Sequence, residues 1–326
     1  MACRIESHIQ RPGKVNYCSD FSMLGVKVSF FEIFIEFNGG RSKFENLTTE
    51  EVMEKFVKPQ TKESKLSLCE LLQSSGQGDV VGTADWFYSH AWKFRFLDVV
   101  EALQRRFDSD DPFIWFDVFS VSQHKAEGRP FEWWNTIFLN AVGDIGKLLM
   151  MMQPFTCKNL LFGRKDNEPE ELEVWFTLTR VWCVFELFAC ESTQSQFDIT
   201  MTKEMHKRLF NSSLQVDPEV HKSLDAVDCE NSVSFKKEDR ERVFEVIRKS
   251  VGFSNLNIMV KRKVETWLRS NCQEAREVLG QEKQQVKVCF CFQIIFSPKH
   301  SHSNTWSRTL HLPWTNLQLA TVQSLL

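Results

Sequence analysis

Between residues 81 and 205 two kinds of apolar pattern alternate, and that alternation limits the fold more than any other feature of the chain. "VVGTADWFYSH" reads as a buried strand, and "FRFLDVVEALQRRF" follows with Phe96, Leu97, Val100, Leu103 and Phe107 at helical spacing. "DPFIWFDVFSV" is a second strand, opened by the turn residues Asp110, Asp111 and Pro112. Next come "FEWWNTIFLNAVGDIG" as a helix, "KLLMMMQPF" as a third strand, "TLTRVWCVFELFACES" as a third helix and "QFDITMT" as a fourth strand. Strand, helix, strand, helix in succession requires parallel pairing through right-handed crossovers, so the expected class is α/β, an open doubly wound parallel sheet. A fifth strand is not evident.

The flanks read differently. Residues 1–43 have no clear period, although "VKVSFFEIFIEF" could pair as a strand before Gly39-Gly40 breaks it. Residues 44–80 form a helical extension: Thr48 or Thr49 caps a first helix that stops at Pro59, and a second spans Ser64 to Leu72. "QSSGQGD" is a flexible joint. Residues 155–176 interrupt the α/β pattern with a polar stretch longer than an ordinary connection, a lid or an insertion without a role. Residues 206–280 are mainly helical, with Val243, Phe244, Ile247 and Val251 at helical spacing ahead of Gly252. Residues 281–326 lose all periodicity and are expected to be a poorly ordered tail or a gene-model artefact.

Composition excludes several classes. Forty basic against 43 acidic residues give a formal charge of −3, which leaves no global footprint for nucleic acid. The 10 cysteines contain no C-x-x-C pair and read as reduced thiols of a cytoplasmic protein. The polar N-terminus is not expected to be a signal peptide, and the apolar run ending at Phe37 carries Lys27, Glu32 and Glu36, so no membrane span is expected. Neither G-x-G-x-x-G, G-x-x-x-x-G-K-[ST] nor G-x-S-x-G occurs. Cys289, Cys291, His300 and His302 fit no ordinary zinc spacing, and no metal site is expected.

Within "RVWCVFELFAC" one carboxylate, Glu186, interrupts an apolar run, with Trp182, Cys183 and Cys190 on its side of the helix. A carboxylate in covered surroundings must be paired, neutral or opened to a ligand. Arg180, Arg95 and Lys93 are the candidate ion-pair partners; a ligand cleft is the other possibility. Ligands of open parallel sheets bind beyond the carboxyl ends of the strands. The first strand ends in "YSHAW" and the second in "FSVSQH". Ser89, His90, Gln123 and His124 are therefore expected at one crevice, with Trp92, Trp133 and Trp134 offering flat stacking surfaces.

These residues resemble a known family. "ADWFYSHAW" looks like the first-strand motif of Toll/interleukin-1 receptor (TIR) domains, and "RVWCVFEL" is similar to their W-C-x-x-E-L helix motif. S-H-A-W, W-F-D-x-F-x-x-x-Q-H, W-W and T-R-x-W-C-x-x-E together look like a divergent eukaryotic branch, over roughly residues 81 to 205. The resemblance implies a flavodoxin-like sheet with helical N- and C-terminal extensions. It further implies cleavage of NAD+ at the nicotinamide-ribose bond, with Glu186 catalytic, NAD+ as substrate and no cofactor. Ser89, His90, Trp92, Gln123, His124 and Trp182 would then hold substrate, and TIR-like surfaces would mediate self-association. His90 stands where the family commonly has an aromatic or basic residue, and the 155–176 stretch precedes the catalytic-type helix. Two further expectations are a non-catalytic adaptor that assembles through the same surfaces and a nucleoside or deoxyribose transferase using the same glutamate.

Overall fold

The buried strands form where apolar residues run without a break. β-branched and aromatic side chains suit a sheet covered on both faces, and the parallel strands here are covered on both. The computed structural model describes residues 22–126, 129–157, 172–209, 224, 227–234 and 236–271. The tail beyond 271, with Cys289, Cys291, His300 and His302, lies outside the described residues, as do 1–21 and 158–171.

In chain order the elements begin with strand β1 (Leu24–Lys27), helix α1 (Phe30–Phe37), and helical segments α2 (Thr49–Val52) and α3 (Lys58–Gln60), joined by a widened turn at Met53–Val57. Helix α4 (Leu68–Ser74), β2 (Val81–Thr83), β3 (Trp86–Ser89), α5 (Phe96–Arg106), β4 (Phe113–Trp115) and the short α6 (Asp117–Ser120) follow. Then come α7 (Phe131–Ile145), β5 (Lys147–Met151), β6 (Pro154–Cys157), β7 (Leu172–Trp175), α8 (Val181–Ser192), β8 (Gln196–Thr200), α9 (Lys203–Leu209) and α10 (Lys237–Ser250). A last helix, α11, runs over 253–271.

Six strands make one mixed sheet in the order β2-β1-β4-β3-β5-β8. Strands β4, β3, β5 and β8 are parallel, while β1 is antiparallel to both β2 and β4. The architecture is thus broadly α/β, as expected. The pleat divides the core. Phe87, Leu148 and Met150 face α7 and α8, together with Val243, Phe244 and Ile247 of α10 and Leu256, Val260, Val264 and Leu268 of α11. Tyr88, Leu149 and Met151 face α5, α1, and the helices of the N-terminal region.

Several sequence expectations need correction. "VKVSFFEIFIEF" is not one strand: only its first residues belong to β1, and the rest is α1. Phe30, Phe31, Phe34 and Ile35 are buried while Ile33 and Phe37 are exposed, which is a helical stripe. Gly39 and Gly40 do end that helix, both with positive φ (101° and 82°). Thr48 forms a capping box with Glu51, but the helix passes Pro59. The widened turn joins Lys58 N–H to Met53 O just ahead of the proline, whose missing donor is accommodated there. The next helix starts at Leu68, because Ser67 and Glu70 make its capping box, so Ser64 lies outside it.

"VVGTADWFYSH" splits into β2, antiparallel to β1, and β3, parallel to β4. The "FIWFDVFSV" strand stops at Trp115, and Asp117 starts α6. The interruption at 155–176 has a defined base, with β6 and β7 paired antiparallel from Pro154↔Trp175 to Cys157↔Leu172. Strand β1, which precedes residue 81, is built into the main sheet between β2 and β4.

The N-terminal helices also hold the strand-end loops. Thr49 N–H bonds Phe94 O (2.9 Å), Glu50 N–H bonds Trp92 O (3.1 Å) and Phe96 N–H bonds Leu47 O (2.8 Å). At the opposite edge, α11 covers β8. Trp267 Nε1 donates to Asp198 Oδ1 at 2.6 Å, Arg106 pairs with Asp198 at 2.6 Å, and Lys263 pairs with Glu191 at 2.9 Å. Covering an edge removes a template for unwanted strand pairing. No helix among the described residues is long and apolar enough to cross a membrane.

Candidate active site

The carboxyl end of β3 is where the chain gathers buried polar atoms that lack partners. Ser89 ends β3 and is 1% exposed, and its Oγ has no hydrogen-bond partner. Ser89 shares the pleat of Phe87, which packs on the α8 side of the sheet, and Asp117 follows two residues after Trp115, where β4 has ended and α6 begins. That face is covered by α8, which carries Glu186.

Glu186 is 7% exposed, and its Oε2 is buried without a partner. Desolvation pushes its carboxyl up to about 8; the Ser89 hydroxyl tempers the rise, and the negative charge of Asp117 adds to it. The Ser89 hydroxyl favours the charged form as a hydrogen-bond donor would, although neither Ser89 Oγ nor Glu186 Oε2 meets strict hydrogen-bond geometry. The ion-pair alternative is not realised among the described residues. Lys93 pairs with Glu50 at 2.6 Å and Arg95 with Asp98 at 3.0 Å, and no ion pair joins Arg180 to Glu186. One turn before the acid, Cys183 directs its Sγ to His90 O at 3.6 Å. Burial holds that thiol well above its ordinary range, so it is neutral.

Asp117 was not singled out in the sequence. It is nevertheless the best-held acid of the site: Trp92 Nε1 donates to Oδ2 at 2.7 Å, and Val118 N–H donates to Oδ1 at 2.8 Å. Burial still raises it to about 6, against those two bonds. The signal that could have found it is the strand-end rule that found Ser89, since Asp117 follows the apolar run "FIWF" directly.

The other expected site residues divide. Trp92 joins the cluster through its bond to Asp117, so its indole N–H is committed to that carboxylate. His90 is 6% exposed and stacks on Phe116 (centroids 4.7 Å apart, planes at 22°) and on Tyr88 (5.5 Å, 17°). Its Nε2 has no partner, and burial lowers it to about 3, so the ring is neutral. Gln123 does not aim its amide at a ligand: Nε2 donates to the carbonyls of Asp117 (2.9 Å), Val118 (3.2 Å) and Val121 (3.0 Å) and fixes the loop after β4. His124 Nε2 lies 3.0 Å from Thr61 Oγ1, a tie to the N-terminal helices.

Trp182 packs on Phe138 (5.3 Å), Phe131 (6.0 Å) and Trp134 (6.4 Å), a ring cluster between α7 and α8. Trp133 packs edge-on against Trp134 (4.8 Å). These rings therefore bind α7 to α8, and only Ser89, Trp92, Asp117, Cys183 and Glu186, with His90 behind them, meet at the strand ends.

An open cleft lies elsewhere, lined by Thr48, Glu50, Glu51, Glu54, Lys55 and Lys93. Its acids and lysines pair with one another, Lys93 with Glu50 and Lys55 with Glu51 (3.9 Å), and it holds no buried orphan group; it is a solvated surface. Among the described residues no cluster of His, Cys, Asp and Glu could hold a metal ion. Among the described residues, what distinguishes the β3 end is chemical: a buried acid whose Oε2 has no partner and whose charged form lacks a counter-charge, with the Ser89 hydroxyl and a second acid, Asp117, acting on it. Such an arrangement favours a cation or a developing positive charge. Comparison with protein-family models, curated proteins and solved structures finds no match for this chain.

Proposed function

We propose that the chain is a TIR-like domain that cleaves NAD+ at the nicotinamide-ribose bond, by hydrolysis or cyclisation, with Glu186 as the catalytic group. One observation carries the reading: the glutamate of the W-C-x-x-E motif is buried, its Oε2 has no partner among the described residues, and Ser89 at the carboxyl end of β3 is one of the groups that act on it. Structural carboxylates are normally matched when buried, and a retained mismatch marks a functional candidate. The parallel strands support the flavodoxin-like assignment. Numbered in chain order they run 2-1-3-4, which is the order of that sheet as far as its fourth strand, and its ligands bind at the reversal between the first and third strands. Ser89 ends the first of these strands.

The chemistry suits a single catalytic acid. Nicotinamide leaves a cationic pyridinium as a neutral molecule, taking the electron pair of the glycosidic bond, so no acid is needed to protonate the leaving group. The ribose becomes oxocarbenium-like, and an ionised Glu186 stabilises that charge in surroundings of low polarity. Water or an intramolecular nucleophile then adds at the anomeric carbon. Purified protein incubated with NAD+ is expected to release nicotinamide, and Glu186→Gln to abolish release while the fold persists. Equal release by both proteins would end the reading.

The adaptor alternative draws on the 7% exposure of Glu186 and on the structural commitments of Gln123 and His124. In that case the protein self-associates as its concentration rises and releases no nicotinamide. A nucleoside panel in the same assay detects transferase activity.

A further inference from the structure

We propose, on the basis of that reading, that Arg180 and the first turn of α8 bind the anionic linkage of the substrate, so that the site takes a nucleotide carrying a diphosphate next to the ribose held at Glu186.

Arg180 is fixed by its backbone and unpaired at its tip. Its N–H donates to Thr177 O at 3.1 Å and its carbonyl accepts from Val184 N–H at 2.9 Å, while the flanking Val181 N–H and Thr179 O both bond Val233. The side chain makes no capping bond to the helix it precedes, and no acid among the described residues pairs with it. It is only partly exposed. A guanidinium carries five N–H donors, and a charge drawn out of water is normally matched.

Two backbone donors stand next to it. Helix α8 has no acidic residue in its first turn, and Trp182 N–H and Cys183 N–H find no acceptor among the described residues. Unmet amides at the positive end of a helix dipole favour an anion.

A helix end alone marks no site; this one also borders the buried polar groups of the β3 end. Arg180, Cys183 and Glu186 are spaced three apart and form one ridge of α8. The middle member packs on the strand end, with Cys183 Sγ reaching His90 O at 3.6 Å. Ser89, the residue before His90, is 1% exposed, and its Oγ has no partner. Its hydroxyl favours the charged forms of both Cys183 and Glu186, so it faces the ridge between the unpaired cation and the acid.

The spacing suits a dinucleotide. Six residues put Arg180 about 9 Å from Glu186 along the helix axis. One ribose and its 5′ carbon separate the scissile anomeric carbon of NAD+ from the diphosphate, a span that the long arginine stem can match. The ridge is also polar in one sense only: the pyridinium and its ribose approach the acid, and the phosphates approach the cation. A nucleoside has no group for the second position, which sets this substrate class apart from the transferase alternative.

The test uses the full chain and two readouts. In the first, NAD+ is compared with nicotinamide riboside, which shares the scissile bond and lacks phosphate. Arg180→Gln is expected to lower kcat/KM for NAD+ by about 10- to 100-fold, the loss of charge-assisted bonds, and to leave the riboside within about twofold. The second needs no turnover. By calorimetry the wild type is expected to bind ADP-ribose at least about tenfold more tightly than Arg180→Gln does, with affinity falling as salt rises, while adenosine does not distinguish the two proteins.

Equal ADP-ribose affinity in both proteins overturns the proposal, as does a wild type that does not bind ADP-ribose. An equal loss for NAD+ and the riboside also overturns it, because Arg180 would then serve the fold or the bond cleavage instead of the phosphates. If Arg180→Gln does not fold, Arg180→Lys keeps the charge without the two-pronged geometry and is expected to weaken ADP-ribose binding; unchanged binding there overturns the proposal too. Arg180-dependent binding of ADP-ribose in a protein that releases no nicotinamide ends the hydrolase reading alone. Nicotinamide release with an ADP-ribose affinity indifferent to Arg180 ends the anion site alone.

Discussion

Glu186→Gln is expected to move activity and stability in opposite directions, and the stability half can be worked from the structure. The Glu186 carboxyl titrates at about 8 in the fold against an ordinary 4.5. Between those values the unfolded chain has already lost its proton while the folded chain keeps it. The unfolded state then binds fewer protons, and stability falls as pH rises, by about 1.4 kcal/mol for each pH unit in that window. From pH 5 to pH 8 the wild type loses about 3 to 4 kcal/mol from this group alone, a large share of a typical net stability of about 5–15 kcal/mol.

A glutamine stays neutral throughout. Its stability curve should run level with the wild type below about pH 5 and diverge above it. Urea unfolding of both proteins at pH 5, 6, 7 and 8 measures the divergence, and any fixed offset from the amide's own unmet N–H cancels from the slope. If the curves stay parallel, Glu186 is not held neutral. An ion-paired acid, held below its ordinary 4.5, would likewise leave the curves parallel from pH 5 to pH 8, so parallel curves end the argument for a ligand-seeking carboxyl.

Two further outcomes follow from the packing. Gln123→Ala removes the donor that serves three loop carbonyls, and a loss of about 1–3 kcal/mol in urea unfolding is expected; unchanged stability would return the amide to a ligand-binding role. Gly25→Ala would place a Cβ 2.6 Å from the Ile114 backbone, forcing β1 away from β4, and thermal melting should show a loss of at least about 2 kcal/mol; a wild-type melting temperature would mean that the two strands are not so closely paired.

Much of the α/β core was legible because its patterns are local. The helices at Phe96–Arg106, Phe131–Ile145 and Val181–Ser192, and the strands at Lys147–Met151 and Gln196–Thr200, lie where apolar spacing and turn residues put them. Gly146, with φ 73°, closes α7 where the sequence ends that helix. The π-type turn before Pro59 and the split at Ala84 and Asp85 were not legible. The split depends on partners outside its own segment: Ala84 N–H bonds Met23 O, and Asp85 N–H bonds Phe113 O. For the same reason the bounds of β1 were not legible, although "VKVSFFEIFIEF" could pair as a strand. Four residues carry little pattern, and their place is set by pairing with Val81–Thr83 and Phe113–Ile114.

The sequence by itself determined which acid is anomalous, because a lone carboxylate in an apolar run is visible without coordinates. It also determined that the chain alternates strands and helices, since side-chain periodicity is written residue by residue. Only the tertiary structure decided that Glu186 pairs with no cation among the described residues, that Trp92 holds Asp117, that Gln123 ties its own loop, and that His124 reaches Thr61. Those facts depend on which strand ends meet and on where each donor finds its acceptor, and such meetings join residues tens of positions apart through pairings that no local pattern records.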